Sequence, residues 1–328
     1  MKFGFVGCGQ MARYHAEVVV ALGHSVDIVC SRTGSPRRDA FCRDFGVGRS
    51  VDRLEDLARA ELDAVVVAVE WDATADIAEA LMRSGVPCLI EKPVALTSER
   101  IAGWLDRATP LGARCLVGYN RRFYDFIPEV RQAVSNGRLV SVEASFPDSL
   151  RWMIEVATER VTPYALPYLT SHYLDLLRYL LGELRIETLR RFDPIAGGGH
   201  RAYNGLFLAV ASETPVHLQI NFDAPSRHRL ALNFERQIIE LSPIETMTVY
   251  DGLEQLAPTP DRPIRRYAPK VAKTQEVGLE FKPGVRAQLE HFVARCVRQD
   301  GSEHVGCTIA EAYEVARLCE AIDGRRQE

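Results

Sequence analysis

The chain has 328 residues, which predicts one very large domain or two domains of ordinary size. Its 40 basic and 44 acidic residues nearly balance, so the composition argues against a nucleic-acid partner. No apolar run reaches the roughly 18–20 residues of a membrane span, and the N-terminus predicts a core strand instead of a signal peptide. The eight cysteines are scattered without a C-x-x-C pair, so we expect free thiols, no metal site and a cytoplasmic location.

Up to about residue 120, short apolar strands alternate with helical patterns. The predicted strands are Phe3–Val6, Val26–Cys30, Ala64–Val69, Cys88–Ile90 and Cys115–Gly118. The predicted helices are Met11–Leu22, Pro36–Phe45, Arg53–Arg59, Thr74–Ser84 and Ser98–Ala108. Near-continuous apolar runs are typical of parallel strands that are buried on both faces. The first part of the chain therefore predicts a doubly wound α/β sheet with its ligand at the carboxyl ends of the strands.

A glycine-rich turn with the pattern G-x-G-x-x-A lies between the first strand and the first helix. Gly7 allows a tight turn, Gly9 lets the backbone approach a pyrophosphate, and Ala12 is small enough for the helix to pack on the strand. The helix N-terminus then faces the phosphates with unpaired N–H groups. The turn predicts dinucleotide binding, and the contacts expected here are Gly7, Gly9, Gln10 and Met11.

The residues after the second strand bear on the choice between NAD and NADP. An acidic residue there would bond the ribose 2′-hydroxyl and repel a 2′-phosphate, but the chain reads Ser31-Arg32-Thr33. Two hydroxyls and a guanidinium suit a phosphate better than a diol. We therefore expect NADP(H) to be preferred and NAD(H) to be possible. The alternative is that Arg32, with Arg37 and Arg38 after it, is only a solvated charge.

After residue 120 the pattern changes to consecutive strands with short turns. Helices are predicted at Ile127–Ser135, Pro167–Leu181, Val285–Arg298 and Ile309–Ile322. Strands are predicted at Leu139–Phe146, Arg185–Arg191, Ala202–Ala211, Val216–Phe222, Arg229–Glu235, Ile238–Leu241 and Met247–Tyr250. The basic stretch Arg262–Lys270 is interpreted as a solvated loop. These patterns predict an α+β domain with a mainly antiparallel sheet, and thus a Rossmann domain at 1–120 and a substrate-binding and oligomerisation domain at 121–328.

Glu91-Lys92-Pro93 directly follows the apolar strand Cys88–Ile90. Glu91 and Lys92 are therefore predicted at the carboxyl edge of the sheet as contacts of the cofactor, and Pro93 restricts the backbone that carries the lysine. A partly desolvated lysine at this place can hydrogen-bond an oxygen on a carbon that gains or loses hydride. Taken alone, the tripeptide is common and could simply begin a loop.

Four motifs occur in order: the glycine turn at 7–12, Glu91-Lys92-Pro93, Gly118-Tyr119-Asn120-Arg121-Arg122-Phe123, and His172-x-x-Asp175. With them the chain resembles, over nearly its whole length, the glucose-fructose oxidoreductase / inositol dehydrogenase / MocA family of NAD(P)-dependent oxidoreductases. The resemblance implies a Rossmann domain and an open antiparallel sheet whose free face makes a homodimer or homotetramer. It also implies a catalytic Lys92, a histidine at the substrate (His172), and Asn120 and Arg122 beside the nicotinamide or a carbohydrate-like small-molecule substrate.

The chain departs from this family one helical turn before His172, where many members carry an aspartate and this chain has Tyr168. Some relatives use a tyrosine as the acid/base together with the motif lysine, and this implies the same role for Tyr168. We expect the Lys92 ammonium to lower the pKa of the Tyr168 phenol. The alternative is that Tyr168 is an aromatic core residue.

A second departure follows the strand Ala64–Val69, where relatives usually continue with a Thr-Pro-Asn-x-x-His-like stretch. Here Glu70 takes the place of the usual proline, and Thr74 takes that of the usual histidine. Two alternatives to an NADP(H)-dependent sugar dehydrogenase or reductase therefore stay open. One is a non-catalytic sensor of a nucleotide or metabolite, and the other is a reductase of an imine, a diol or a tetrapyrrole.

Overall fold

The computed structural model describes residues 1–105, 114–157, 159–195 and 198–324 of the chain. The chain divides into two compact units. The first comprises Met1–Tyr124, Tyr164–Leu176 and Leu279–Glu328, and the second comprises Asp125–Pro163 and Leu177–Gly278. The chain first leaves the first unit after Tyr124. It returns to the first unit at Tyr164 and again at Leu279. The domain limits 1–120 and 121–328 stay a prediction.

The first unit contains a six-stranded parallel sheet. Its strands are β1 (Lys2–Val6), β2 (Ser25–Cys30), β3 (Arg49–Val51), β4 (Ala64–Val67), β5 (Cys88–Ile90) and β6 (Cys115–Val117). The strand order is β3-β2-β1-β4-β5-β6, so the chain reverses direction across the sheet between β1 and β4. This is the doubly wound arrangement that places a ligand at the carboxyl edge, and it confirms the predicted α/β class.

The α-helices of the described residues follow in chain order. They are α1 (Gln10–Ala21), α2 (Pro36–Phe45), α3 (Leu54–Ala58), α4 (Thr74–Ser84), α5 (Ser98–Leu105), α6 (Ile127–Asn136), α7 (Leu150–Ala157), α8 (Ser171–Leu181), α9 (Val285–Phe292) and α10 (Ile309–Asp323). A 3₁₀ helix covers Asn120–Phe123, and π-helical turns cover Leu166–Thr170 and Val293–Arg298. The last three residues of the predicted helix Ser98–Ala108 lie outside the described residues. No helix of the described chain is both long enough and apolar enough to cross a membrane.

One hydrophobic core holds the first unit together. Phe3 and Phe5 of β1, Val19 of α1 and Phe292 of α9 are fully buried in it. The last helix, α10, begins with a capping box in which Thr308 and Glu311 satisfy each other's backbone N–H groups. The closing helices therefore belong to the same unit as the parallel sheet.

The second unit contains an eight-stranded sheet. Its strands are β7 (Leu139–Phe146), β8 (Leu184–Pro194), β9 (His200–Ala209), β10 (Thr214–Asn221), β11 (Arg229–Phe234), β12 (Gln237–Leu241), β13 (Thr246–Leu256) and β14 (Arg266–Glu276). The strand order is β14-β13-β12-β11-β7-β10-β9-β8, and every neighbouring pair is antiparallel except β7 with β10. The predicted α+β class is confirmed. The loop expected at Arg262–Lys270 is wrong in its second half, because β14 begins at Arg266 and pairs with β13.

Candidate active site

The glycine turn between β1 and α1 has the geometry of a phosphate-binding loop. Gly7 has φ +98°, and an added Cβ would lie 2.0 Å from the backbone oxygen of Ala68, so only glycine fits. At Gly9, in contrast, an added Cβ would meet nothing within 4 Å. This open space adjoins the first turn of α1, where Gln10 and Met11 carry N–H groups without an intrahelical acceptor. The residues present therefore fit the pyrophosphate of a dinucleotide.

The segment after β2 presents both signs of charge. Arg32 is exposed, and Arg38 donates from Nη1 to the backbone oxygen of Ser31 at 3.2 Å. Thr33 donates its hydroxyl hydrogen to Asp52 Oδ2 at 2.8 Å. The segment thus carries two guanidinium groups, and its Thr33 hydroxyl contacts a carboxylate that follows β3, a strand that the sequence did not predict.

Lys92 follows β5 at the carboxyl edge of the parallel sheet, as predicted. Its Nζ donates to the backbone oxygen of Tyr168 at 2.7 Å and lies 5.5 Å from the centroid of the Tyr168 ring. The Lys92–Pro93 peptide bond is cis. The structure therefore brings Lys92 and Tyr168 together, and the ammonium donates a hydrogen bond to the main chain of Tyr168.

Tyr168 lies in the π-helical turn Leu166–Thr170, immediately before α8. The expectation of a lowered phenol pKa is wrong. Burial raises the pKa of Tyr168, and the negative charge of Glu70 raises it further. The phenol is half-buried, and the loss of hydration disfavours its ionised form. The positive charge of Lys92 does not outweigh this effect on the pKa of Tyr168. Tyr168 is consequently protonated at neutral pH and can donate a proton.

His172 lies one turn further along, at the start of α8. Its ring packs edge-on against the ring of Tyr119 at 5.6 Å between centroids. Burial lowers the pKa of His172 well below its usual value, and the positive charges of Arg121, Lys92 and Lys282 lower it further. His172 is therefore neutral at pH 7 and offers one N–H donor and one nitrogen acceptor.

Asn120 and Arg122 have structural partners in the first unit. Asn120 donates from Nδ2 to the backbone oxygen of Pro283 at 2.8 Å. Arg122 donates from Nε and Nη2 to the two carboxylate oxygens of Asp175 at 2.9 and 2.6 Å, and from Nη1 to Glu311 at 2.8 Å. Both residues are buried. The geometry gives them a role in holding the fold, and their place beside a substrate stays a prediction.

Two cations that the sequence analysis did not select lie near His172. Arg121 stacks over the ring of Tyr173 and donates from Nη2 to the Tyr173 hydroxyl at 3.1 Å. Lys282 donates to the sulfur of Met11 at 3.1 Å, and burial lowers its pKa. No spacing rule marks Lys282, because it comes from the segment before α9, far from the motifs in sequence. Among the described residues, no group of three or more His, Cys, Asp or Glu side chains could hold a metal ion.

Glu91, which precedes Lys92, contacts the phosphate-binding helix. Its Oε1 lies 2.8 Å from Nε2 of His15, a residue of α1 whose side chain is fully buried. Burial alone would raise the pKa of Glu91, but the hydrogen bond with His15 and the charges of Lys282 and Lys92 outweigh burial and lower it. Glu91 is therefore an ionised carboxylate next to Lys92. His15 escaped prediction because it occupies a position in the apolar stripe of α1.

Residues 1–119 match a family model described as "Oxidoreductase family, NAD-binding Rossmann fold". The chain is 28% identical over 194 residues to an inositol 2-dehydrogenase of Rhizobium meliloti (strain 1021), and the match spans 56% of each chain. The match therefore covers little more than half the length of this relative. The inositol 2-dehydrogenase 2 of Saccharopolyspora erythraea is 27% identical over 341 aligned positions, which cover 98% of this chain and 91% of that enzyme.

The chain also resembles solved structures of sugar-nucleotide dehydrogenases. A UDP-N-acetylglucosamine 3-dehydrogenase from Acidithiobacillus ferrooxidans superposes with a TM-score of 0.74 at 18% identity, covering 99% of this chain and 97% of that one. At this level of identity the likeness establishes the fold, with its parallel sheet followed by the mainly antiparallel one.

Proposed function

We propose that the chain, as a member of the glucose-fructose oxidoreductase / inositol dehydrogenase / MocA family of NAD(P)-dependent oxidoreductases, is an NADP(H)-preferring dehydrogenase or reductase. It transfers hydride to or from a CH–OH or C=O carbon of a sugar or sugar-like molecule. The observation that carries the proposal is the contact of Lys92 with the Tyr168 main chain at the carboxyl edge of the parallel sheet. This edge is where the glycine turn receives a dinucleotide.

Each of three side chains has a part in the proposed reaction. The nicotinamide, when bound, supplies or accepts the hydride. The Lys92 ammonium stabilises negative charge on the reacting oxygen, as a preorganised cation in a partly desolvated site does. Tyr168, with its raised pKa, gives a proton to that oxygen in the reductive direction. Neutral His172 orients the substrate hydroxyls with its donor and its acceptor.

The preference for NADP(H) is supported by the two guanidinium groups after β2. Arg32 is exposed beside Ser31 and Thr33, and Arg38 is held against the Ser31 carbonyl. Guanidinium groups bind phosphate with paired, charge-assisted hydrogen bonds. Asp52 opposes this preference by its charge, but Thr33 already donates to it. NAD(H) is expected to bind more weakly.

The substrate class is supported by the names of the relatives, which act on inositol and on UDP-N-acetylglucosamine. We also propose that the enzyme is a homodimer or homotetramer through the face of the eight-stranded sheet that carries Glu143, Ser145, His217 and Gln219. A cytoplasmic location is proposed because all eight cysteines are free thiols.

The test is a substrate panel with each cofactor, followed by absorbance of the reduced nicotinamide. The panel contains myo-inositol, glucose, glucose 6-phosphate and UDP-N-acetylglucosamine. Lys92→Ala is expected to lose at least about 100-fold of turnover while it binds NADPH as the wild type does. Lys273→Ala, which removes an exposed lysine in the second unit, is the matched control and keeps full turnover.

Two results would contradict the proposal in different ways. Wild-type turnover in Lys92→Ala removes the lysine from the mechanism. Cofactor binding without turnover of any substrate in the panel favours the non-catalytic sensor instead.

A further inference from the structure

His15 is a polar side chain among the apolar ones of its helix. It lies on the face of α1 that packs on the parallel sheet, and its neighbours Ala12, Ala16 and Val19 are core residues. A buried imidazole costs free energy unless it is hydrogen-bonded, so the hydrogen bond with Glu91 accounts for the presence of His15 there. The distance of 2.8 Å is that of a good hydrogen bond.

The proton of this hydrogen bond can be placed. Glu91 is ionised, because its pKa is lowered, and therefore accepts. Nε2 of His15 therefore donates to it, and Nδ1 is the other ring nitrogen. That nitrogen is buried without a hydrogen-bond partner in the described part of the chain.

Glu91 also hydrogen-bonds the backbone of Lys92, so the contact with His15 restrains the position of Lys92 as well. Its second oxygen, Oε2, accepts from the Lys92 backbone N–H at 3.3 Å, and its own N–H donates to Val67 at 2.8 Å. Gly118 makes room for the carboxylate, since an added Cβ there would lie 3.0 Å from Glu91 Oε2. Glu91 is therefore held from α1 and from its own strand end through its carboxylate, and from β4 through its backbone N–H.

We propose that His15 is a positioning residue, which fixes Glu91 and, through it, the Lys92 backbone against the phosphate-binding helix. The hydrogen bond joins the helix that is proposed to receive the cofactor phosphates to Glu91, the residue directly before the lysine that carries the proposed catalytic ammonium. A displacement of about 1 Å at a reacting group costs on the order of 100-fold in rate, so a single hydrogen bond in this place matters for turnover. The inference rests on the proposed function for its catalytic consequence and on geometry alone for the restraint on Lys92.

The experiment compares four variants. His15→Met removes the donor at similar volume, and His15→Gln retains an N–H near the position of Nε2. Glu91→Gln, at a partly exposed position, removes the charge from the other side of the bond and serves if His15→Met does not fold. Val18→Ala, also fully buried in α1, is the matched control for lost packing.

His15→Met and Glu91→Gln are expected to lower kcat by about 10- to 100-fold with KM and NADPH affinity unchanged. His15→Gln should recover most of the turnover. Val18→Ala should lower the thermal midpoint and leave kcat as in the wild type. If His15→Met behaves like Val18→Ala, its role is packing only and the inference fails.

A second measurement separates failure of this inference from failure of the proposed function. Acylation of Lys92 in the cofactor-free protein is followed by mass spectrometry, with exposed Lys273 as the internal reference. Loss of the restraint should speed acylation of Lys92 several-fold in His15→Met and Glu91→Gln, whether or not any sugar is turned over. Equal rates in all four variants overturn the inference even if the enzyme proves to be a sugar dehydrogenase.

Discussion

The buried pair of Arg122 and Asp175 allows a quantitative prediction. The side chains are 2% and 0% exposed, and two parallel hydrogen bonds of 2.9 and 2.6 Å join them. Asp175→Asn removes the charge and turns an N–H donor towards the guanidinium. Removal of one partner of a buried ion pair costs about 3–5 kcal/mol. We expect about 3 kcal/mol, the lower end of this range, because Glu311 still accepts from Nη1 at 2.8 Å.

The assay is urea unfolding of the wild type, of Asp175→Asn, of Asp175→Leu, of Arg122→Met and of the double variant Arg122→Met/Asp175→Leu. The double variant is expected to lose much less than the sum of single losses, since replacing both charges by apolar groups is often close to neutral. Glu235→Gln is the control at a surface pair, where Arg138 and Glu235 are 81% and 56% exposed. It should change the midpoint little, because water screens such pairs.

A loss of less than about 1 kcal/mol in Asp175→Asn, or simple additivity of Arg122→Met and Asp175→Leu in the double variant, would refute the assignment of Arg122 to the fold. The same variants also test the alternative that Arg122 lines the substrate. In that case Arg122→Met would raise KM while the free energy of unfolding stayed near that of the wild type. The two roles therefore predict opposite results in two measurements.

Three further predictions concern the cofactor, the proton donor and pH. Arg32→Ala should weaken NADPH binding about tenfold and NADH binding little in fluorescence titrations, whereas Asp52→Asn should strengthen NADPH binding. Tyr168→Phe should lower the reductive kcat by about 10²- to 10⁴-fold. Because the pKa of the Tyr168 phenol is raised, ionisation of this phenol should cause no loss of rate in the wild-type pH–rate profile at pH values below the usual tyrosine range. Burial lowers the pKa of His291 from 6.5 to about 4, so the folded state binds fewer protons and loses stability as the pH falls through this interval. Urea midpoints measured between these pH values should therefore fall less in His291→Gln than in the wild type.

The parallel sheet could be predicted because its strands are buried on both faces and read as unbroken apolar runs. All five predicted strands are present, with ends that differ by a few residues. The strand that was missed, Arg49–Val51, lies at the sheet edge and is mostly exposed, so its sequence carries no apolar run. Its omission also hid Asp52, the carboxylate that Thr33 binds.

The outer edge of the second sheet was harder to predict for a related reason. Strand Arg266–Glu276 is exposed along nearly its whole length, with Pro269 and several basic residues in it. It has no buried face to impose a period of two on the sequence. Only its pairing with Thr246–Leu256 makes it a strand, and that pairing is not encoded locally.

The catalytic motifs identify which residues matter but not the directions in which neighbouring side chains point. Asn120, Arg121 and Arg122 are consecutive in one 3₁₀ helix, where successive side chains are about 120° apart. One is bonded to a backbone oxygen, the next is stacked on Tyr173, and the third is buried against Asp175. Of the two adjacent arginines, Arg121 is the one whose charge lowers the pKa of His172, and Arg122 is held in the buried ion pair with Asp175. The stability measurement on Asp175 therefore also bears on the site, because loss of the pair frees the turn that orients Arg121.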